Sequence, residues 1–113
     1  MRMWMVNPRK LCRQHLLGEH NEVHMLAGSM NKLRSIQGFI DNKLVDPMHV
    51  TARHNALAKE MESRGYHHGS PIGMVIIQSN YMGHWVDVQE SIAELKHRCA
   101  DCCANLTRKQ EVN

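Results

Sequence analysis

Apolar residues recur at helical spacing along most of the chain. In "PRKLCRQHLLGEHNEVHMLA", Pro8 to Ala27, residues Cys12, Leu16, Val23 and Ala27 share one stripe at 100° per residue, which predicts a core-facing helix. Asn7 suits its N-cap, Pro8 its first position and Gly28 its stop. Gln14, Gly18 and Glu22 fall together on the opposite side, with Leu11, Asn21 and Met25 beside them. Periodicity alone makes that sector a solvated polar face. Yet a glycine beside an acid also leaves room for another molecule to approach the helix closely.

Further on, "MNKLRSIQGFIDNKL" predicts a less regular second helix, interrupted near Gly38, and Asp46-Pro47 marks a break. A third helix is expected from about Thr51 to Arg64, stopped by Gly65. Residues 66–86 are rich in Gly, His and turn formers and predict a long loop, in which "MVIIQ" could be a short strand without an evident partner. Asp87 and Glu90 fit a D-x-x-E capping box. Val88, Ile92, Leu95, Cys99, Cys102 and Leu106 then alternate at spacings of four and three, a buried stripe on the last helix. The pattern predicts an all-α fold: a compact single-domain bundle of three to four helices over residues 1–113, with a long Gly/His-rich loop.

Composition adds two things. The chain is 42% hydrophobic but 4% aromatic, so Leu, Met, Ile and Val must fill the core, and nine Met make it pliable. A net charge of +3 with nine His counted as neutral suits a polyanionic partner without demanding one. No apolar run approaches the roughly 20 residues of a membrane span, and the N-terminus lacks a signal-type apolar segment. A cytoplasmic protein with reduced cysteines is therefore expected.

The run "CADCC" invites a metal reading, because zinc takes about four Cys and His ligands, usually in two spaced pairs. Cys99 and Cys102 make one pair, and His97, Cys103 and the distant His67-His68 are the candidates to complete it. Both Cys99 and Cys102 lie on the apolar stripe, however, which favours plain core positions over metal or redox chemistry. His20 and His24 are i,i+4 neighbours able to clamp a metal, but "HNEVH" is not H-E-x-x-H. No metal ligand set is assigned. G-x-S-x-G, P-loop and G-x-G-x-x-G motifs are all absent.

"RQHLLGEHNEV" together with "RHNALAKEMESRGYHHGSPI" resembles the pyrimidine-dimer DNA glycosylase/AP lyase family of the phage endonuclease V type. The family's first helix carries Q-H-L-x-x-E-x-x-E, matched by Gln14, His15, Leu16, Glu19 and Glu22, and its later helix ends in an R-G-aromatic turn, matched by Arg64, Gly65 and Tyr66. "MRMW" is similar to the opening of bacterial and phage members. The resemblance covers about half of the chain. It implies DNA repair by a metal-independent, cofactor-free N-glycosylase with AP lyase activity. Its partner would be double-stranded DNA bearing a damaged or abasic nucleotide, and the protein a monomer.

By the same resemblance, Met1 and Glu22 are the catalytic pair. The offset from Gln14 puts the nucleophilic α-amine on Met1, and the bulky Arg2 should keep the initiator Met in place. An α-amine titrates near about 8, so a useful fraction is neutral at pH 7. Arg2, Gln14, His15, Gly18, Arg13 and Lys10 are the expected DNA-binding residues, with Arg9, Lys32 and Arg34 as further phosphate candidates. The chain departs from the family pattern where arginines flank the glutamate: those positions hold Asn21 and Met25. The family's aromatic, lysine-rich tail is replaced by "NLTRKQEVN". The alternatives are a small helical phage-type factor that binds DNA or protein without catalysis and, more remotely, a His/Cys metal-dependent nuclease.

Overall fold

A computed structural model describes residues 1–108. Its five α-helices are α1 (Arg13–Asn31), α2 (Gln37–Asp41), α3 (Val50–Ser63), α4 (Val88–Arg98) and α5 (Ala100–Thr107), with 3₁₀ turns at Pro8–Lys10, Pro47–His49 and Ser79–Tyr81. No strand occurs among the described residues, and none of their helices is long and apolar enough to cross a membrane. The all-α expectation holds.

Helix α1 begins five residues later than the pattern suggests. Asn7 does cap a helical turn, accepting from the Arg9 amide at 3.0 Å, but that turn is the 3₁₀ segment Pro8–Lys10. Leu11 and Cys12 are extended, so the turn does not propagate. Cys12 is the true cap: its sulfur accepts from the His15 amide at 3.4 Å. At the other end the helix passes through Gly28 and stops after Asn31. Leu16, Val23 and Ala27 are buried as expected, and so are Glu19 and His20.

Two arginines of the α3 region, Arg53 and Arg64, hold the N-terminal segment against α1. Arg53 makes a two-pronged pair with Glu19, Nε to Oε2 at 2.6 Å and Nη2 to Oε1 at 2.8 Å, and its Nη1 donates to the Val6 carbonyl at 2.7 Å. Arg64, just past the end of α3, donates to the carbonyls of Leu11 at 2.8 Å and Pro8 at 3.1 Å. Met3 donates its amide to the Leu44 carbonyl at 2.8 Å, and Met3, Trp4 and Val6 are all buried. The chain's first residues are thus an integral part of the core. Gly65 ends the α3 region at φ +81, a left-handed conformation that glycine takes without strain.

The expected single C-terminal helix is two helices. Cys99 is extended (φ −135, ψ 112) and caps α5, its sulfur accepting from the Cys102 amide at 3.4 Å. The apolar spacing runs straight through this break, so periodicity does not reveal it. Asp87 caps α4 as predicted, but Val88 is exposed rather than buried. "MVIIQ" is not a strand. Its polar backbone is met instead by one side chain, Asn31, which donates to the Met74 carbonyl at 3.0 Å and accepts from the Ile76 amide at 2.8 Å.

Candidate active site

The buried N-terminal segment brings Met1 and Arg2 to the side of α1 that carries Glu22. Burial raises the pKa of the half-buried Glu22 carboxyl, and the positive N-terminal amine is the strongest influence in the opposite direction, ahead of Arg2 and Arg98. Glu19 on the same helix adds to the rise. Of the positive groups around this acid, the terminal amine is therefore the dominant one.

Arg2 lies over the Trp4 ring, 4.0 Å from its centroid, and Arg98 of α4 lies over the same ring at 5.2 Å. Burial lowers the Arg2 pKa, and the neighbouring Arg98 lowers it further, while Glu94, Glu90 and Glu22 oppose both. Its buried Nε has no hydrogen-bond partner among the described residues. Arg98 is held by Glu94 at 2.7 and 3.0 Å. Two stacked cations beside a carboxylate and an amine form a polar wall suited to a phosphodiester. Arg98 and Trp4 were not among the sequence candidates; Trp4 alone had a signal, in "MRMW".

Gly18 lies one turn before Glu22, and a Cβ built there would meet nothing within 4 Å. Gln14, a further turn back, is exposed. Lys10 is half-exposed, and Arg13 is exposed with its guanidinium 5.2 Å from the Tyr66 ring centroid. Asn21 and Met25 are both exposed. His15 turns elsewhere: its Nδ1 lies 3.2 Å from the Cys12 sulfur and 3.6 Å from that of Cys102, and its ring meets Trp4 edge-on. The charges of Met1 and Arg2 thus reach Glu22, with Gly18 one turn away on the same helix, and His15 points instead into a sulfur cluster.

Among the described residues, two groups of side chains bring possible metal-ligating atoms within 4.8 Å of one another: Cys12, His15, Cys99 and Cys102, and His20, His24, His54 and His68. In the second group the rings hydrogen-bond. His20 Nε2 and His68 Nε2 are 2.9 Å apart, while His54 contacts Asn55 Oδ1 and the Ser70 carbonyl, each at 3.0 Å. Burial pushes the His20 pKa down to about 4, helped by the charges that His24, His54 and His68 would carry. In the first group, burial pushes the Cys102 thiol up to about 12. A separate cavity of about 210 Å³, lined by Ile40, Lys43, Gly83, His84, Trp85 and Asp87, includes none of the residues around Glu22.

The family model for pyrimidine dimer DNA glycosylases matches residues 1–74, which contain the N-terminal segment, α1, α2 and α3. No curated protein and no solved structure matches the chain.

Proposed function

The chain belongs to the pyrimidine dimer DNA glycosylase family, and from that premise we propose that it removes a damaged pyrimidine from duplex DNA with Met1 as nucleophile and then nicks the strand as an AP lyase. The observation that carries this reading is that the N-terminal segment brings the charge of the terminal amine to bear on the half-buried Glu22 carboxyl.

In the first step the neutral Met1 nitrogen attacks the deoxyribose C1′. The glycosidic bond breaks, and its electron pair leaves with the base, which takes up a proton. Opening of the sugar ring moves a proton to O4′ and gives a protonated Schiff base between Met1 and C1′. That cation is an electron sink: loss of a C2′ proton expels the 3′ phosphate by β-elimination. Water then releases the sugar and restores the amine. Glu22 stabilises the positive charge that develops at C1′ and carries protons during ring opening and elimination. Arg2 and Arg98 would hold the neighbouring phosphates, and the bare backbone face at Gly18 would admit the sugar edge.

Reaching C1′ requires a nucleotide to leave the stack, which costs a few kcal/mol and is easiest at damaged or abasic positions. Asn21 and Met25 supply no charge to the exposed face near Glu22. A bare abasic site should therefore be cut at least as readily as a pyrimidine dimer. The test is strand nicking of duplexes carrying either lesion, with no added divalent metal, by wild type and by Glu22→Gln. A loss of at least about 100-fold in the variant is expected. Equal turnover by the two proteins would overturn the assignment, and a wild type that binds these duplexes without nicking them would favour the non-catalytic alternative.

A further inference from the structure

Two short hooks of identical spacing meet where the beginning and the end of the described chain come together. Cys12-x-x-His15 spans the start of α1, and Cys99-x-x-Cys102 spans the start of α5. In each hook the first cysteine caps its helix, so both present their side chains from a helix N-terminus toward the same point. The four ligand atoms all lie within 4.8 Å of one another, although the hooks are 87 residues apart.

The geometry points to a structural zinc site made by Cys12, His15, Cys99 and Cys102. Zinc–sulfur bonds of about 2.3 Å and zinc–nitrogen bonds of about 2.0 Å at tetrahedral angles require S···S edges of about 3.8 Å and S···N edges of about 3.5 Å. Cys12 and Cys99 sulfurs are 3.9 Å apart, and His15 Nδ1 lies 3.2 and 3.6 Å from the sulfurs of Cys12 and Cys102. Those edges already approximate the coordination shell. The surroundings fit thiolates as well: each sulfur receives one backbone N–H, from Cys12 to Cys102 at 3.3 Å, from His15 to Cys12 at 3.4 Å and from Cys102 to Cys99 at 3.4 Å. Such donors orient metal-bound sulfur and offset its charge.

Binding replaces the three thiol protons, which pass to solvent, and uses the neutral imidazole through Nδ1. The centre then carries one net negative charge, and the Arg98 charge already felt by His15 complements it. Four protein ligands close the shell, so this zinc does not take part in the reaction at C1′. Its role is to fasten α5 to the start of α1, which also fixes Trp4 against His15 and Arg98 beside Arg2. Residues 75–108, beyond the span of the family match, thereby acquire a defined attachment to it.

The test uses the whole chain purified in a thiol-free reductant, with metal content measured after gel filtration and Co(II) titrated into metal-stripped protein. We expect one zinc per chain and, with cobalt, a strong sulfur-to-metal charge-transfer band with tetrahedral visible bands. Cys12→Ser and Cys99→Ser should weaken cobalt binding by at least about 100-fold, whereas Cys103→Ser, outside the set, should bind like wild type. His15→Cys tests the same shell without removing a ligand and should intensify the sulfur band, so the outcome does not depend on a serine variant folding. Absence of a sulfur-to-cobalt band in the reduced wild type would overturn the proposal, as would retained zinc without that band, or equal losses in Cys103→Ser and Cys99→Ser.

Discussion

Arg53 is the residue whose loss should cost the fold most. It is 6% exposed and makes three hydrogen bonds, two to a Glu19 that is 1% exposed and one to the Val6 carbonyl. Arg53→Met keeps much of the side-chain volume but leaves the Glu19 carboxylate with no cation and no route to water. Removing one partner from a buried pair costs about 3–5 kcal/mol, a large share of the roughly 5–15 kcal/mol that holds a small domain together. With a urea slope of about 2 kcal/mol per molar, the midpoint should fall by about 2 M. The double variant Arg53→Met/Glu19→Met removes the orphaned charge as well and should recover at least half of that loss. Urea unfolding followed by circular dichroism reads both numbers. A single variant within about 1 kcal/mol of wild type, or a double variant no better than the single, would refute the idea that this pair locks the N-terminal segment onto α1.

Acid should weaken the fold through the histidine cluster. Because the His20 pKa falls from the ordinary 6.5 to about 4 on folding, stability is intact above pH 6.5 and is lost as pH drops toward 4, when the unfolded chain takes up the proton first. The full loss from His20 is about 3 kcal/mol, and unchanged urea midpoints between pH 7 and 4.5 would contradict it. Gly18→Ala should stabilise α1 by about 0.5–1 kcal/mol, since its Cβ meets nothing among the described residues, yet slow abasic-site cleavage by crowding the helix face proposed to admit the sugar; a melt and a nicking assay on one preparation separate the two effects. Arg98→Ala should reduce the slope of log affinity against log salt by about one counterion, and an unchanged slope would exclude a phosphate contact there. The raised Glu22 pKa moves the acid limb of the cleavage–pH profile above that of a free glutamate, and Glu22→Gln should erase that limb.

Patterns of burial were readable wherever one helix face meets the core. The stripe through Leu16, Val23 and Ala27, the stop at Gly65 and the cap at Asp87 are all local, and local chemistry decides them. What could not be read depends on distant partners. Glu19 matched a family motif, but only Arg53, 34 residues away, explains its burial. The break at Cys99 is invisible because the cysteine keeps the apolar spacing while its sulfur caps the next helix. Cys12 was counted as core, so the C-x-x-H that it forms with His15 was not set beside Cys99-x-x-Cys102; the matching spacing was the available signal. Arg98 gave none, since its stacking on Trp4 arises only when α4 folds back on the N-terminal segment.

On the proposed mechanism the nitrogen at the head of the chain performs the chemistry. Borohydride reduction during turnover of an abasic duplex, with no added divalent metal, followed by digestion and mass spectrometry, locates the attachment point directly. A reduced sugar adduct is expected on the Met1 peptide, at its α-nitrogen, and none when that nitrogen is acetylated beforehand. An adduct on a lysine, or equal trapping by the acetylated chain, would contradict it.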